Sequence, residues 1–364
     1  MSTARAEALL PRRLGYVALT RGGARLAGCL AAALPGTIYV SERWRAAAGA
    51  AARALDEPPS HAMPALFAAH DGLVFFTAVG VTVRLIAPCV RDKRGDPAVV
   101  AVDDAGRYAV SVLSGHMGGA NALTERVAAL LGAAPVITTA SEARGTLPVD
   151  LLGREHGWRL EHPEAVKRAS AAVVNGEPVG LVQEAGETDW WEGPLPSAIR
   201  RYGGLEALAA TDCPGLVITD RALPTELAVA SARWVVYRPR SLVLGVGASS
   251  GVDVEEIEAL ARATLAAAGL AWASVREVAT LDRKLAEPRL VAFAQRHELP
   301  LRGFAAEALA TVPVPNASPL VASHVGTPSV CEAAACLAAG GPLIVVKRKS
   351  ARATLAVARR GEGG

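Results

Sequence analysis

The stretch that most constrains this chain is 108–132, which reads YAVSVL, then SGHMGGAN, then ALTERVAALLG. A short β-rich apolar run is followed by a loop with three glycines and one histidine. Leu123, Val127, Leu130 and Leu131 then recur at helical spacing, with Asn121 placed to cap the helix and Gly132 to stop it. The pattern predicts strand, loop and helix. Amide groups at a helix N-terminus are unpaired and carry partial positive charge, so such a loop is prepared for an anion or a developing oxyanion. Gly115, Gly118 and Gly119 let a ligand approach the backbone, and Ser114 and His116 bring proton chemistry to the same turn. A plain strand-to-helix turn with an ordinary surface histidine is the competing reading. Neither G-x-G-x-x-G nor GK[ST] is present here, so a nucleotide site has little support.

The flanks set this element in a larger α/β order. Gly15–Thr20 (GYVALT) reads as a buried strand, followed by a helix of small apolar residues to Leu34, a strand at Thr37–Ser41 and a helix over Trp44–Leu55. This βαβα run predicts a mostly parallel sheet flanked by helices. Three prolines in 56–64 break the pattern. Gly72–Phe76 (GLVFF) and Ala98–Asp103 (AVVAVD) are further strands, with a helix at Val81–Ile86 carrying Arg84 and a charged loop at 91–97 carrying Lys93. Ala134–Thr138 adds another strand. The expected fold class is therefore multidomain α/β: an N-terminal domain at 1–145, a smaller middle domain at 146–238 and a C-terminal α/β domain at 239–364.

In the middle segment, Pro163–Asn175 reads as a helix, and Pro178–Gln183, Leu216–Asp220 and Arg233–Tyr237 read as strands. Trp190 and Trp191 either offer an aromatic face to a flat ligand or pack a small insertion. The third domain repeats the strand, loop and helix order. Leu242–Val246 leads into GVGASSG (245–251), and Asp253 with Glu256 has capping-box spacing. The glycine spacing is wrong for a dinucleotide, and no acidic residue follows where one is needed. Asp282, Lys284 and Glu287 sit at a later strand-to-helix turn, where Asp282 is either a cap or a site residue. Thr327 and Pro328 precede a second capping-box pattern, Ser329 with Glu332, and Cys331 in that first turn is either a thiol activated by the helix or a packed one. Leu343–Lys347 and Thr354–Ala358 are expected to pair as a hairpin or sheet edge.

At 364 residues and 51% hydrophobic content the chain has ample material for several cores. A net charge of +3 excludes a bulk nucleic-acid footprint, although Lys347, Arg348, Lys349, Arg352, Arg359 and Arg360 crowd one region. That cluster is either a contact for an acidic ligand or a solvated basic edge. Five cysteines form no C-x-x-C and no zinc pattern, which points to a reducing compartment. The N-terminal residues carry no signal-peptide pattern, and no apolar run reaches membrane-span length, so a soluble cytoplasmic protein is expected.

Seven blocks, in order, then carry a resemblance. AVGVTVRLIAP (78–88), DKRGDPAVVAVDD (92–104), LSGHMGGAN (113–121) and PVITTAS (135–141) resemble the N-terminal region of the cobalt-precorrin-5A hydrolases of cobalamin biosynthesis. PRSLVLGVG (239–247), GTPSVCEAAA (326–335) and VVKRKSARATLAVAR (345–359) resemble the C-terminal domain of that family. One loop departs from it, because Ala248, Ser249 and Ser250 stand where the family usually carries a cysteine and basic residues. Gly245, Gly247 and Gly251 are then backbone determinants, and Ser249 and Ser250 candidate donors.

The resemblance implies a substrate: a cobalt macrocycle bearing many carboxylates and a δ-lactone, opened with loss of a two-carbon unit as acetaldehyde. Such a ligand asks for a broad apolar cleft, cationic and N–H donors at its rim, and a polar device at the lactone. Arg84, Lys93, Gly115, Gly118, Gly119, Asn121, Gly245, Gly247, Ser249, Gly251, Thr327, Ser329, Glu332, Lys347 and Lys349 are the substrate-binding candidates. His116 is the expected general base and Ser114 an alternative nucleophile. The Gly118–Asn121 amides are expected to hold the oxyanion, at about 3 kcal/mol per donor. No protein cofactor or metal is expected, since the cobalt arrives with the substrate. A homodimer, and transfer contacts with neighbouring methyltransferases, are further expectations; nucleic-acid and membrane partners are not. A non-catalytic corrinoid carrier and a Rossmann-type oxidoreductase or transferase are the rival functions.

Overall fold

The alternation of strand and helix signals is realised in three sheets. A computed structural model of the chain describes residues 10–55, 58–92, 95–140, 145–191, 193–249, 251–317 and 327–361. Lys93 and Ser250 lie outside the described residues. Two units divide the chain, Met1–Glu155 and His156–Gly364.

The first unit is built on β1 (Leu14–Ala18), β2 (Thr37–Ser41), β3 (Arg53–Leu55), β4 (Gly72–Phe76), β5 (Ala98–Val102), β6 (Tyr108–Leu113) and β7 (Ala134–Val136), laid out in the order β3-β2-β1-β4-β5-β6-β7. All neighbours are parallel except β5 and β6. β1, β4 and β5 are buried along their whole length, as strands covered on both faces must be. Because side chains alternate along a strand, Tyr16, Val74, Phe76 and Val100 pack on one face with α1 (Arg21–Ala33) and α4 (Ala120–Leu131). Val17, Leu73, Phe75 and Val99 pack on the other with α2 (Pro59–Ala69) and α3 (Val79–Ile86).

Two local expectations fail here. The helix expected over Trp44–Leu55 is only Arg45–Ala48; Gly49, at φ +104, ends it, and Arg53–Leu55 becomes the edge strand β3. The proline-rich segment is helical instead of broken. Pro59 stands in the first turn, where a missing N–H costs nothing, and burial of Met63, Leu66 and Phe67 holds α2 despite Pro64 in its interior.

The β5–β6 reversal positions the glycine loop. Asp103 Oδ1 accepts the amides of Arg107 and Tyr108, each at 2.7 Å, and Gly106 supplies the positive φ of the turn. Burial alone would raise the Asp103 pKa, but these amides and that of Ala105 hold it below its ordinary value. Since β6 runs back along β5, the loop after β6 emerges beside the amino end of β5. That is the opposite edge of the sheet from the turns that follow β1 and β4.

The second unit holds two five-stranded sheets. The first has the order β10-β9-β11-β12-β8, from β8 (Arg159–Glu161), β9 (Val179–Gln183), β10 (Ile199–Arg201), β11 (Gly215–Ile218) and β12 (Trp234–Arg238), with β8 antiparallel at its edge. The helix α5 (Val166–Asn175) packs on it. The second sheet has the order β15-β14-β13-β17-β16, from β13 (Leu242–Ala248), β14 (Val275–Leu281), β15 (Leu301–Phe304), β16 (Leu343–Lys349) and β17 (Ala353–Arg359), flanked by α6 (Val254–Ala267), α7 (Pro288–Arg296) and α8 (Val330–Ala339). β16 and β17 form the expected hairpin, with β16 at the edge.

A buried carboxylate joins the two sheets. Asp220, fully buried just beyond β11, accepts both a bidentate pair from Arg359 at 2.7 and 2.9 Å and the Ser241 hydroxyl at 2.8 Å. Arg360 reaches Glu187 at 3.1 Å. Two members of the basic cluster therefore serve the fold. Trp190 does likewise: it is 1% exposed and donates to Gln183 Oε1 at 3.0 Å, so it packs the insertion. Among the described residues no helix is long and apolar enough to cross a membrane.

Candidate active site

The turn between β6 and α4 gathers Ser114, Gly115, His116, Gly118, Gly119 and Asn121 into one knot. Ser114 adopts a left-handed conformation, φ +57, and its hydroxyl donates to the Asp96 carbonyl at 3.0 Å, next to the amino end of β5. Gly118 lies directly over it. A Cβ added at Gly118 would stand 2.3 Å from Ser114 Cβ, so only glycine fits.

Asn121 is not the cap. The N-cap residue is Gly119, at φ +88, and Asn121 lies inside the first turn, 5% exposed. Its Oδ1 accepts from Ser111 at 2.8 Å, and its Nδ2 donates to Thr139 at 2.9 Å. It thereby ties β6, the loop and the segment after β7. The sequence-based oxyanion expectation also changes. The amides of Gly119, Ala120 and Asn121 already donate to the carbonyls of His116, Ser114 and Gly115, at 3.0, 3.1 and 2.9 Å. Among the described residues the amides of Met117, Gly118 and Ala122 have no acceptor, and these are the donors the turn retains.

His116 is held by residues that sequence reasoning missed. Its Nδ1 stands 3.6 Å from Asp150 Oδ1, with the two side chains 22% and 14% exposed. Arg154 donates to the Met117 carbonyl at 2.6 Å. Both come from the segment after Gly145, which Leu147, Val149 and Leu152 anchor by burial. A carboxylate beside one ring nitrogen orients the imidazole and leaves the other nitrogen as the one that can accept a proton. Arg84 lies exposed on α3, its Nη1 3.5 Å from the Gly80 carbonyl.

The C-terminal candidates form a second group, and packing explains most of them. A Cβ on Gly245 would fall 1.8 Å from the Cys331 carbonyl, and one on Gly247 would fall 2.5 Å from Thr354 Oγ1. Gly245 admits α8 to the face of β13, and Gly247 leaves room for the side chain of Thr354, its register partner on β17. Glu332 is fully buried and accepts from Ser329 Oγ, Asn316 N, Asn316 Nδ2 and Lys347 N at 3.1, 3.2, 2.8 and 3.0 Å. It clamps a loop and a strand onto α8; it is not a ligand group at the surface. Ser329, 2% exposed, is the N-cap residue but gives its hydroxyl to Glu332, so the reciprocal capping box does not form. Glu256 likewise turns to Ser350 Oγ at 2.5 Å and Arg352 N at 2.7 Å.

Thr327 is fully buried, and its hydroxyl has no hydrogen-bond partner among the described residues. Ser249 donates its amide to the Arg352 carbonyl, and Gly251, at φ +77, accepts from Arg352 Nη1 at 2.7 Å. Lys347 Nζ bonds the Asn316 carbonyl, while Lys349 is exposed at the edge strand. Burial pushes the Cys331 thiol above its ordinary pKa, so it is a packed cysteine and not an activated one. Asp282 caps no helix; it opens a short 3-10 turn, Asp282–Lys284.

Tandem α/β sheets, the first carrying a glycine-tight turn with a histidine–carboxylate pair, define a multidomain α/β protein. Family models match in chain order: "Cobalamin synthesis G N-terminal" at 61–142, "Cobalamin biosynthesis central region" at 147–239 and "Cobalamin synthesis G C-terminus" at 242–358. A cobalt-precorrin-5A hydrolase of Priestia megaterium is 40% identical over 300 residues, covering 81% of this chain and 80% of its own length. One from Salmonella typhimurium is 32% identical over 361 residues, covering 96% and 98%. Protein CobE of a Sinorhizobium species is 40% identical over 121 residues, 32% of this chain and 79% of its own. The chain belongs to the cobalt-precorrin-5A hydrolase family.

Proposed function

We propose that this chain hydrolyses cobalt-precorrin-5A, opening its δ-lactone and releasing the two-carbon unit as acetaldehyde to leave cobalt-precorrin-5B. Family membership that spans all three sheets carries the reading, and the His116–Asp150 pair in the turn after β6 supplies the chemistry. Asp150 orients the ring from Nδ1, and Nε2 takes a proton from water as its oxygen bonds to the lactone carbonyl carbon. The oxyanion forms toward the amides of Met117 and Gly118. Collapse breaks the ester C–O bond and yields a carboxylate and a hydroxyl. Loss of the hydroxyl proton then forms the aldehyde C=O as the adjacent C–C bond breaks, its electron pair and a proton going to the macrocycle. The net change is one water gained and C2H4O lost.

In this reading cobalt is part of the substrate and the chain contributes no cofactor of its own. Ser114, whose hydroxyl already donates to Asp96, shapes the turn and is not the nucleophile. The partner is the cobalt-precorrin substrate, and the site of action is the cytoplasm.

The test is anaerobic incubation of the purified protein with cobalt-precorrin-5A, trapping acetaldehyde with a hydrazine and following corrinoid mass. His116→Ala is expected to lose about 10²–10⁴-fold in kcat, the usual contribution of a positioned base, with circular dichroism unchanged. Asp150→Asn is expected to lose less than His116→Ala, because it removes the carboxylate that orients the ring but leaves the base in place. Full turnover by the His116 variant would remove the base assignment. A bound but unchanged corrinoid would favour a carrier instead.

A further inference from the structure

The second unit concentrates positive charge where its two sheets meet. Arg159 begins β8 and lies in register with Arg238 at the end of β12. Two residues beyond Arg238, in the link to β13, stands Arg240. Two residues further, Leu242 opens β13 in register with Val275, next to Arg276 on β14. The link therefore brings Arg159, Arg240 and Arg276 to one place.

Their surroundings do not balance the charge. Arg238 is neutralised by Glu161 at 2.8 Å and by the carbonyls of Thr219 and Arg221. Among the described residues Arg276 has one carboxylate nearby, Glu277, at 3.9 Å. Arg240 and Arg159 have no ion-pair partner among the described residues. Arg240 is partly buried; one Nη2 proton goes to the Arg276 carbonyl at 2.9 Å, while its Nε is buried without a hydrogen-bond partner among the described residues. Burial first, and then the charges of Arg159 and Arg276, lower the Arg240 pKa below its ordinary value.

A buried N–H without an acceptor is unusual in a native protein, and one on a cation flanked by two more cations asks for an anionic acceptor that the chain does not supply. A planar guanidinium with its neighbours matches the two oxygens of a carboxylate. We propose that Arg159, Arg240 and Arg276 form a carboxylate seat that holds one of the peripheral acid side chains of the macrocyclic substrate. The assignment of the occupant rests on the function proposed above; the seat itself does not.

The experiment uses the full chain, with succinate and inorganic phosphate as calorimetric probes at low ionic strength, beside the acetaldehyde assay. Arg240→Gln removes the central donor. Arg276→Gln removes a cation but keeps the Arg240 hydrogen bond, because its acceptor is the main-chain oxygen of residue 276. Both variants are expected to bind succinate about tenfold more weakly, the loss expected for one charge-assisted bond at a partly buried site, and to raise KM about tenfold with kcat within twofold. Arg240→Lys is expected to recover part of the affinity.

Equal succinate affinity in wild type and both variants would overturn the seat. Weakened succinate binding with unchanged KM would overturn the substrate as occupant and leave a free dicarboxylate, or phosphate if that probe binds more tightly. Weakened succinate binding together with no acetaldehyde from the wild type would overturn the proposed function while the seat stands.

Discussion

Gly118→Ala tests whether the turn after β6 is the catalytic element. The new Cβ would lie 2.3 Å from Ser114 Cβ and 2.8 Å from the Ser114 carbonyl oxygen, against 3.4–4 Å for ordinary contact. The two strands of the turn must therefore part by more than 1 Å, and His116 lies between them. A misplacement of about 1 Å at a reacting group costs roughly 10²-fold in rate, so kcat should fall about a hundredfold. Overpacking of this kind also costs about 1–3 kcal/mol of stability. Acetaldehyde release measures the first quantity and urea unfolding the second. Gly132→Ala serves as a control. That glycine has φ +68, and an added Cβ would meet nothing within 4 Å, so the variant should lose about 1 kcal/mol and keep its turnover. Adding Ser114→Gly to Gly118→Ala removes the closest contact and should recover part of the rate if Ser114 only shapes the turn. Wild-type turnover by Gly118→Ala alone would refute the reasoning.

Two further outcomes concern stability. Arg359→Ala leaves Asp220, fully buried, with only the Ser241 hydroxyl, and should cost about 3–5 kcal/mol in urea unfolding; a loss below 1 kcal/mol would show that Asp220 is rehydrated or neutralised instead. Burial alone would raise the Glu332 pKa, but four donors hold it below the ordinary 4.5. Because the folded value lies below the unfolded one, its contribution is complete above about pH 4.5 and is lost as pH falls through the folded value. Glu332→Gln should therefore flatten the acid limb of the stability profile, and an unchanged slope in thermal melts between pH 3 and 5 would count against the clamp.

The fully buried runs GYVA and GLVFF are legible as strands because a strand covered on both faces is apolar throughout, and SGHMGGAN is legible as a strand-to-helix turn because glycine and helical periodicity are local signals. Partners distant in the chain are not. Asp150 and Arg154 grip the turn from more than thirty residues away, within a segment that has no regular pattern. Asn121 looks like a cap by type and place, yet Gly119 already supplies the left-handed residue at the helix start, which releases Asn121 for Ser111 and Thr139. Gly245 and Gly247 look like ligand glycines. Their meaning depends on α8 and β17, which close on β13 only after about a hundred residues have intervened. Arg359 and Arg360 read as part of a cluster that is either a ligand contact or a solvated edge, because Asp220 and Glu187, their actual partners, are invisible to any window around them.

The pairing of Asp220 with Arg359 also sets an order of events in synthesis. The two residues are 139 positions apart. A ribosome adding roughly 5–20 residues per second needs on the order of ten seconds to cover that distance. During that time the carboxylate beyond β11 has no guanidinium to accompany it into the interior, and β13 lacks β17 on its inner edge. The first sheet of the second unit has all its strands by residue 238, but its buried Asp220 gains its guanidinium partner only with the last strand of the second. The nascent chain therefore carries an open strand edge through most of its C-terminal synthesis, and that edge is what a wrong strand could pair with in the interval.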